Sequence, residues 1–329
     1  MHAWGSTESS SVPAWGLSAG PGKGCVMVVA TESASLALNV QLPGREFVEG
    51  SVIDVVVRGV AGRDVTLAGG EVALIRTVTY QYRFVSAYGG FSTASDRNAE
   101  VVTRQSLPAG GRLSAGQQFL ESVALAVPGD GPGSVTAALL RIEWTVRARL
   151  QVEGSSDIEV TRHIRVLSRA AGRASVEGSA PLVVDRGCAV LALDSLSSRR
   201  LVPGSSLVGV LTVTAKRPVS ARGVRVELVL RELVHHGPWI GDDPAHNPAY
   251  QDKEKDTLVA SALVAVYLEF EPTHPLRIPF TLSVPDNLAA PSVQTPEVTL
   301  SWVLRGVLDR ARRPDPYVEL ELRGVTTAD

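Results

Sequence analysis

Cysteine is nearly absent: Cys25 and Cys188 are the only two in 329 residues, without the paired spacing of a disulfide framework or a zinc site. A reducing compartment, the cytoplasm, is the simplest expectation. Lysine is scarce too, with Lys23, Lys216, Lys253 and Lys255 the only four among 32 basic residues. The 34 acidic residues leave a formal net charge of −2, so no global positive field draws nucleic acid or an anionic membrane. No apolar run approaches the ~20 residues of a membrane-crossing helix, and Met1 to Gly24 lacks the basic-then-apolar order of an export signal. No Walker loop, dinucleotide fingerprint or His-Glu-x-x-His occurs. These absences imply no cofactor, no nucleic-acid partner and no integral membrane segment.

Turn formers are abundant, with 30 Gly and 20 Pro beside 44% hydrophobic residues. The length suits two domains of ~150 residues, each able to bury a core. From Arg141 to Val152, Ile142, Trp144, Val146, Ala148, Leu150 and Val152 alternate with polar or charged neighbours, as a strand with one dry and one wet face requires. Shorter period-two runs occur at Val72 to Phe84, Val224 to Leu230 and Val318 to Leu322. No stretch sustains a helical apolar period beside capping residues. Strands at roughly ten-residue spacing, punctuated by Gly and Pro, imply an all-β chain of antiparallel, immunoglobulin-like sandwiches.

An internal repeat organises the chain. Phe47-Val48-Glu49-Gly50-Ser51 returns as Leu201-Val202-Pro203-Gly204-Ser205, an offset of 154. Val127-Pro128, Ser134-Val135 and Trp144 return in order as Val284-Pro285, Ser292-Val293 and Trp302, the tryptophans 158 apart. Landmarks that keep their order over such a length indicate a duplicated domain. The expected division is a Ser/Gly/Pro-rich, disordered tail at 1–24, a first sandwich at 25–170, a linker at 171–180 and a second sandwich at 181–329.

These landmarks resemble the arrestin family in its broad sense. Leu113 to Phe119, Val123 to Pro128, Ser134, Trp144 and Leu150 are similar to a motif progression of that family. Leu276 to Pro285, Pro291-Ser292 and Trp302 are similar to its second occurrence. The resemblance covers roughly Val26 to Val325 and implies a two-domain, non-enzymatic adaptor or scaffold that binds protein partners through sheet faces, loops or edge strands. Trp stands where the family commonly has Tyr, the phosphate-sensing basic pair of receptor-binding arrestins has no counterpart, and Pro314 to Tyr317 is not a PPxY ligand. The arginine-for-lysine bias resembles a GC-rich bacterial genome, and for a bacterial chain the arrestin resemblance implies a role akin to the sporulation-control group.

Three local features could carry chemistry. Gly16-Leu17-Ser18-Ala19-Gly20 matches a nucleophile-elbow pattern but sits in the tail, without the strand and helix such a turn needs. The stretch from His235 to His246 gathers His235, His236, Asp242, Asp243 and His246, ligand types suited to a divalent transition metal. It is also a polar inter-strand loop, which collects such residues regardless, and Trp239 within it is a candidate partner contact. The metal reading would make the chain a metal-binding protein or metal-dependent enzyme. Lastly, Arg141, Arg147, Arg149, His163 and Arg165 share the outward phase of a strand pair and could form a stripe for phosphates or an acidic peptide. Ion pairing with Glu143 and Glu159 is the competing expectation. Edge-strand self-association, giving a homo-oligomer or a structural component of a larger assembly, fits the same pattern.

Overall fold

The computed structural model describes residues 30–32, 35–85, 90–108, 111–168, 182–235, 250–251, 253–272, 274–286, 288, 290–295 and 297–324. Among them all regular structure is strand. The first half holds β1 (Ala30–Glu32), β2 (Leu36–Gln41), β3 (Glu46–Val48), β4 (Val52–Ala61), β5 (Val65–Val85), β6 (Phe91–Leu107), β7 (Gly111–Leu113), β8 (Gln118–Ala126), β9 (Val135–Thr136), β10 (Leu140–Val152) and β11 (Ile158–Leu167). The second holds β12 (Leu182–Asp185), β13 (Ala189–Asp194), β14 (Arg200–Leu201), β15 (Ser206–Ala215), β16 (Val219–Val234), β17 (Tyr250–Gln251), β18 (Lys253–Phe270), β19 (Leu276–Ser283), β20 (Val293–Gln294), β21 (Val298–Asp309) and β22 (Tyr317–Gly324). The elbow-like Gly16–Gly20 segment, Cys25 and the expected linker at 171–180 lie outside the described residues.

Both halves use one wiring plan. The four-stranded sheet β1-β2-β4-β8 is matched by β12-β13-β15-β19, and the order β3-β11-β10-β5-β6 is matched by β14-β22-β21-β16-β18. Even the parallel exception recurs, β3 against β11 and β14 against β22. The repeated sequence landmarks perform repeated jobs. Gly50 and Gly204 both adopt the left-handed region, at φ 76° and 72°, which lets the chain turn tightly into β4 and β15 without a Cβ penalty. Ser134 and Ser292 each accept a hydrogen bond on Oγ from the last strand of their half, from Val166 N and Gly324 N, both at 2.9 Å. Each serine amide returns a bond to the carbonyl of the same residue.

Alternation builds the core. Every second residue of β10 from Leu140 to Val152 is buried, and β21 is buried along most of its length. Trp144 and Trp302 sit fully inside, and their indole N–H groups donate to Pro132 O (3.3 Å) and Ala290 O (3.0 Å), so neither large ring strands a polar atom. The strands β5 and β16 run well past the segments where sequence alternation is clean. Beyond Arg76 the inward phase of β5 becomes Val78, Tyr80, Tyr82 and Phe84, half-buried rather than buried. Neighbouring rings there stand 6.3–6.4 Å apart in a tilted ladder. This projecting end faces the second half of the molecule.

Candidate functional site between the two halves

The joint is organised by one carboxylate. On β16, Leu228, Leu230 and Val234 share a core-facing phase with Glu232, which is 0% exposed. Its side chain crosses to the turn between β9 and β10. There Oε1 accepts from Ala138 N (2.9 Å), and Oε2 accepts from Leu139 N (2.5 Å) and Leu140 N (3.1 Å). Three converging amide dipoles substitute for the water that a buried carboxylate gives up, and bonds to an ionised acceptor are roughly twice as strong as neutral ones. The neighbouring β17 pairs antiparallel with the far end of β5, Tyr250 opposite Phe84 and Gln251 opposite Arg83. A segment of the second half thus extends a sheet of the first. Lys253 donates to Gln81 Oε1 at 3.4 Å. Burial, then Arg83 and Lys255, hold its ammonium below the usual lysine range despite the opposing pull of Glu232.

Among the described residues, clefts lined by both halves include two of similar size. One, of about 670 Å³, is lined by Ser134, Arg141, Glu143, His163 and Arg165 from the first half and Leu288 from the second. The other, of about 620 Å³, is lined by Arg76, Tyr80, Asp96, Glu100 and Asp130 on one side and Glu297 on the other. In it the Tyr80 hydroxyl donates to Asp96 Oδ2 at 3.0 Å. Burial, and then that bond and charge, push the phenol above its ordinary pKa.

The sequence-derived basic residues divide between the first cleft and the sheet. Arg141, His163 and Arg165 line the cleft, whereas Arg147 and Arg149 lie further along β10. Carboxylates answer each guanidinium: Glu143 to Arg141 (2.6 Å), Glu71 to Arg147 (3.1 Å), Asp157 to Arg149 (2.5 Å) and Glu46 to Arg165 (3.0 Å). Arg147 also approaches Glu159 at 3.9 Å. The stripe is therefore a neutralised lattice along β10, and its Arg–Glu pairs at the cleft mouth stay exposed. In the 235–246 loop, His235 Nε2 shares a 2.9 Å hydrogen bond with Thr299 Oγ1, and its amide donates to Glu297 O. His236, Trp239, Asp242, Asp243 and His246 lie outside the described residues. Among the described residues no three His, Cys, Asp or Glu side chains are grouped to hold a metal. Cys188 is a buried free thiol, with Arg310 Nη1 3.1 Å from its sulfur.

Glu232 escaped the sequence reading although its signal is there, a charge on the apolar phase of a strand. Arg162 carries the same signal on β11, buried between Val160 and Ile164 and donating to Val40 O at 3.3 Å. Burial, helped by Arg45, lowers its pKa. A second network covers the outer face of β16, β21 and β22. Arg231 grips Asp256 (2.8 and 2.9 Å) and Glu319 (3.1 and 3.0 Å) with paired bonds. Arg305 reaches the same two carboxylates at 2.6 and 2.7 Å, and lies 5.3 Å from the Tyr317 ring centre. Bonds from Arg231 above all hold Asp256 below the usual carboxylate range. Burial pushes Glu319 upward, and the bonds from Arg231 and Arg305 outweigh it.

Compared with protein-family models and with curated proteins, the chain matches none. No helix among the described residues is long and apolar enough to cross a membrane.

Proposed function

We propose that the chain is a non-enzymatic, arrestin-like adaptor: two immunoglobulin-like β-sandwiches in tandem, cytoplasmic, offering its interdomain clefts, loops and sheet edges to protein partners. The observation that carries this reading is the joint. A chain that only needed two stable domains has no use for a buried carboxylate that crosses from one to the other, whereas a binding surface shared by both halves needs them held in register. The cleft beside the joint supplies such a surface. Its Arg141, His163 and Arg165 offer donors to an acidic segment, and Leu288, itself almost wholly buried, closes the cleft wall from the other half. Because the arginines already hold carboxylates, a partner would exchange one set of ion pairs for another, which favours specificity over raw affinity.

The test is capture of partners from the native lysate, quantified by mass spectrometry, with wild type against R141E/R165E. A protein enriched by wild type and reduced about tenfold by the charge reversal, about 1.4 kcal/mol, supports an adaptor that uses this cleft. Equal recovery on both removes the cleft from the account, and the absence of any reproducible partner removes the adaptor.

A further inference from the structure

We propose that the free edge of β18 pairs antiparallel with the same strand of a second copy, making a two-fold symmetric dimer. The inference stands on the geometry of β18 and does not need the adaptor reading.

β18 ends the order β14-β22-β21-β16-β18. Its ladder to β16 runs from Lys253 to Phe270 with two bulge-like register shifts, at Val259 and Val264, and among the described residues no strand pairs with its other side. An open row of backbone donors and acceptors is a template for another strand, and proteins normally blunt it with charges, proline or a polar face. The duplicated fold provides an internal control. The strand in the equivalent place, β6, carries Ser95, Asp96, Arg97, Asn98, Arg104 and Gln105, and its large exposed apolar residues are limited to Phe91 (60%) and Val101 (39%). On β18 the exposed residues include Leu258 (58%), Leu263 (67%), Val266 (51%) and Tyr267 (86%). Tyr267 is held there at φ 51°, a conformation that costs energy in a non-glycine residue. No proline interrupts the strand. Its carboxylates Glu254 and Asp256 are paired with Arg231 and sit at the amino-terminal end, away from the apolar stretch.

A second copy is the occupant because the strand is complementary to itself when reversed. At the amino-terminal end Lys253, Lys255, Arg231 and Arg305 outnumber Glu254, Asp256 and Glu319, which leaves that end positive, while Glu269 and Glu271 leave the carboxy-terminal end negative. Antiparallel pairing centred on Ala262 sets Lys255 against Glu269 of the other copy. The same register places Leu258 opposite Val266 and Ser261 opposite Leu263, closing the apolar stretch on itself. An isologous contact of this kind satisfies both copies at once and stops at two.

The test is sedimentation velocity on the full chain. Wild type is expected to form a dimer with a dissociation constant of the order of 10 µM, as suits an interface at the small end of the specific range. L263K places a charge on the outward face at an exposed position, and is expected to weaken the dimer at least about tenfold with no change in thermal unfolding. K255E is expected to weaken it too, and K255E/E269K to restore it. A monomer up to about 100 µM, a dimer that survives L263K, or a charge swap that fails to rescue K255E would each overturn the proposal.

Discussion

Glu232 Oε2 lies 2.5 Å from the amide nitrogen of Leu139, although 93 residues and a change of sheet separate them. This contact and its two neighbours tie the halves together from inside. Removing the carboxylate leaves three amides without their acceptor and opens a gap at the joint. E232A is expected to cost about 3–5 kcal/mol, since up to three amides lose their acceptor, at about 1–3 kcal/mol for each one left buried. E232Q, which keeps one acceptor, is expected to cost about 1–3 kcal/mol. Urea denaturation gives both values. Hydrogen exchange at the Leu139 and Leu140 amides should rise in E232A, and unchanged protection there would contradict the assignment.

The network at Arg231 gives stability a defined acid limb. Asp256 and Glu319 are depressed in the folded chain, so the unfolded chain binds more protons as pH falls below the ordinary carboxylate values of about 4. Their contribution is complete above that range and is lost as pH falls through the folded values. Melting curves between pH 7 and pH 3 should show a steeper acid loss for wild type than for D256N/E319Q. Parallel curves would show that the network is not coupled to folding.

Glycine at 324 is a packing requirement, because a methyl there would overlap the Trp302 indole. G324A is expected to destabilise the second half by about 3 kcal/mol or more, since neither the backbone nor the buried ring can yield. Gly44 has open space around its Cβ position, and G44A is expected to stay within about 0.5 kcal/mol of wild type. Thermal melts of the pair separate a local clash from a general intolerance of substituted glycine.

The parts of the fold that depend on nearby residues were legible. The Gly-Ser turns at Gly50 and Gly204, the serines at 134 and 292 and the inward tryptophans recur because each solves the same local problem twice, and a repeated solution leaves a repeated sequence. The joint left no such trace. The acceptor role of Glu232 depends on where the β9–β10 turn lies in the other half, and backbone amides carry no sequence identity. The arginines of β10 and β11 were legible as an outward-facing set, and so was pairing with carboxylates of their own strand pair, as Glu143 does with Arg141. Glu71 on β5 and Glu46 on β3, which reach Arg147 and Arg165 from strands far away in sequence, were not.

The most direct measurement is the distance distribution between spin labels on the two halves, at R63C and R313C in a C25S background, read by pulsed electron resonance. Both positions are exposed, and the remaining Cys188 is buried. If Glu232 locks the halves into one binding body, wild type should give a single narrow distribution that broadens in E232A. A broad distribution in wild type, or a narrow one that E232A leaves unchanged, would contradict it.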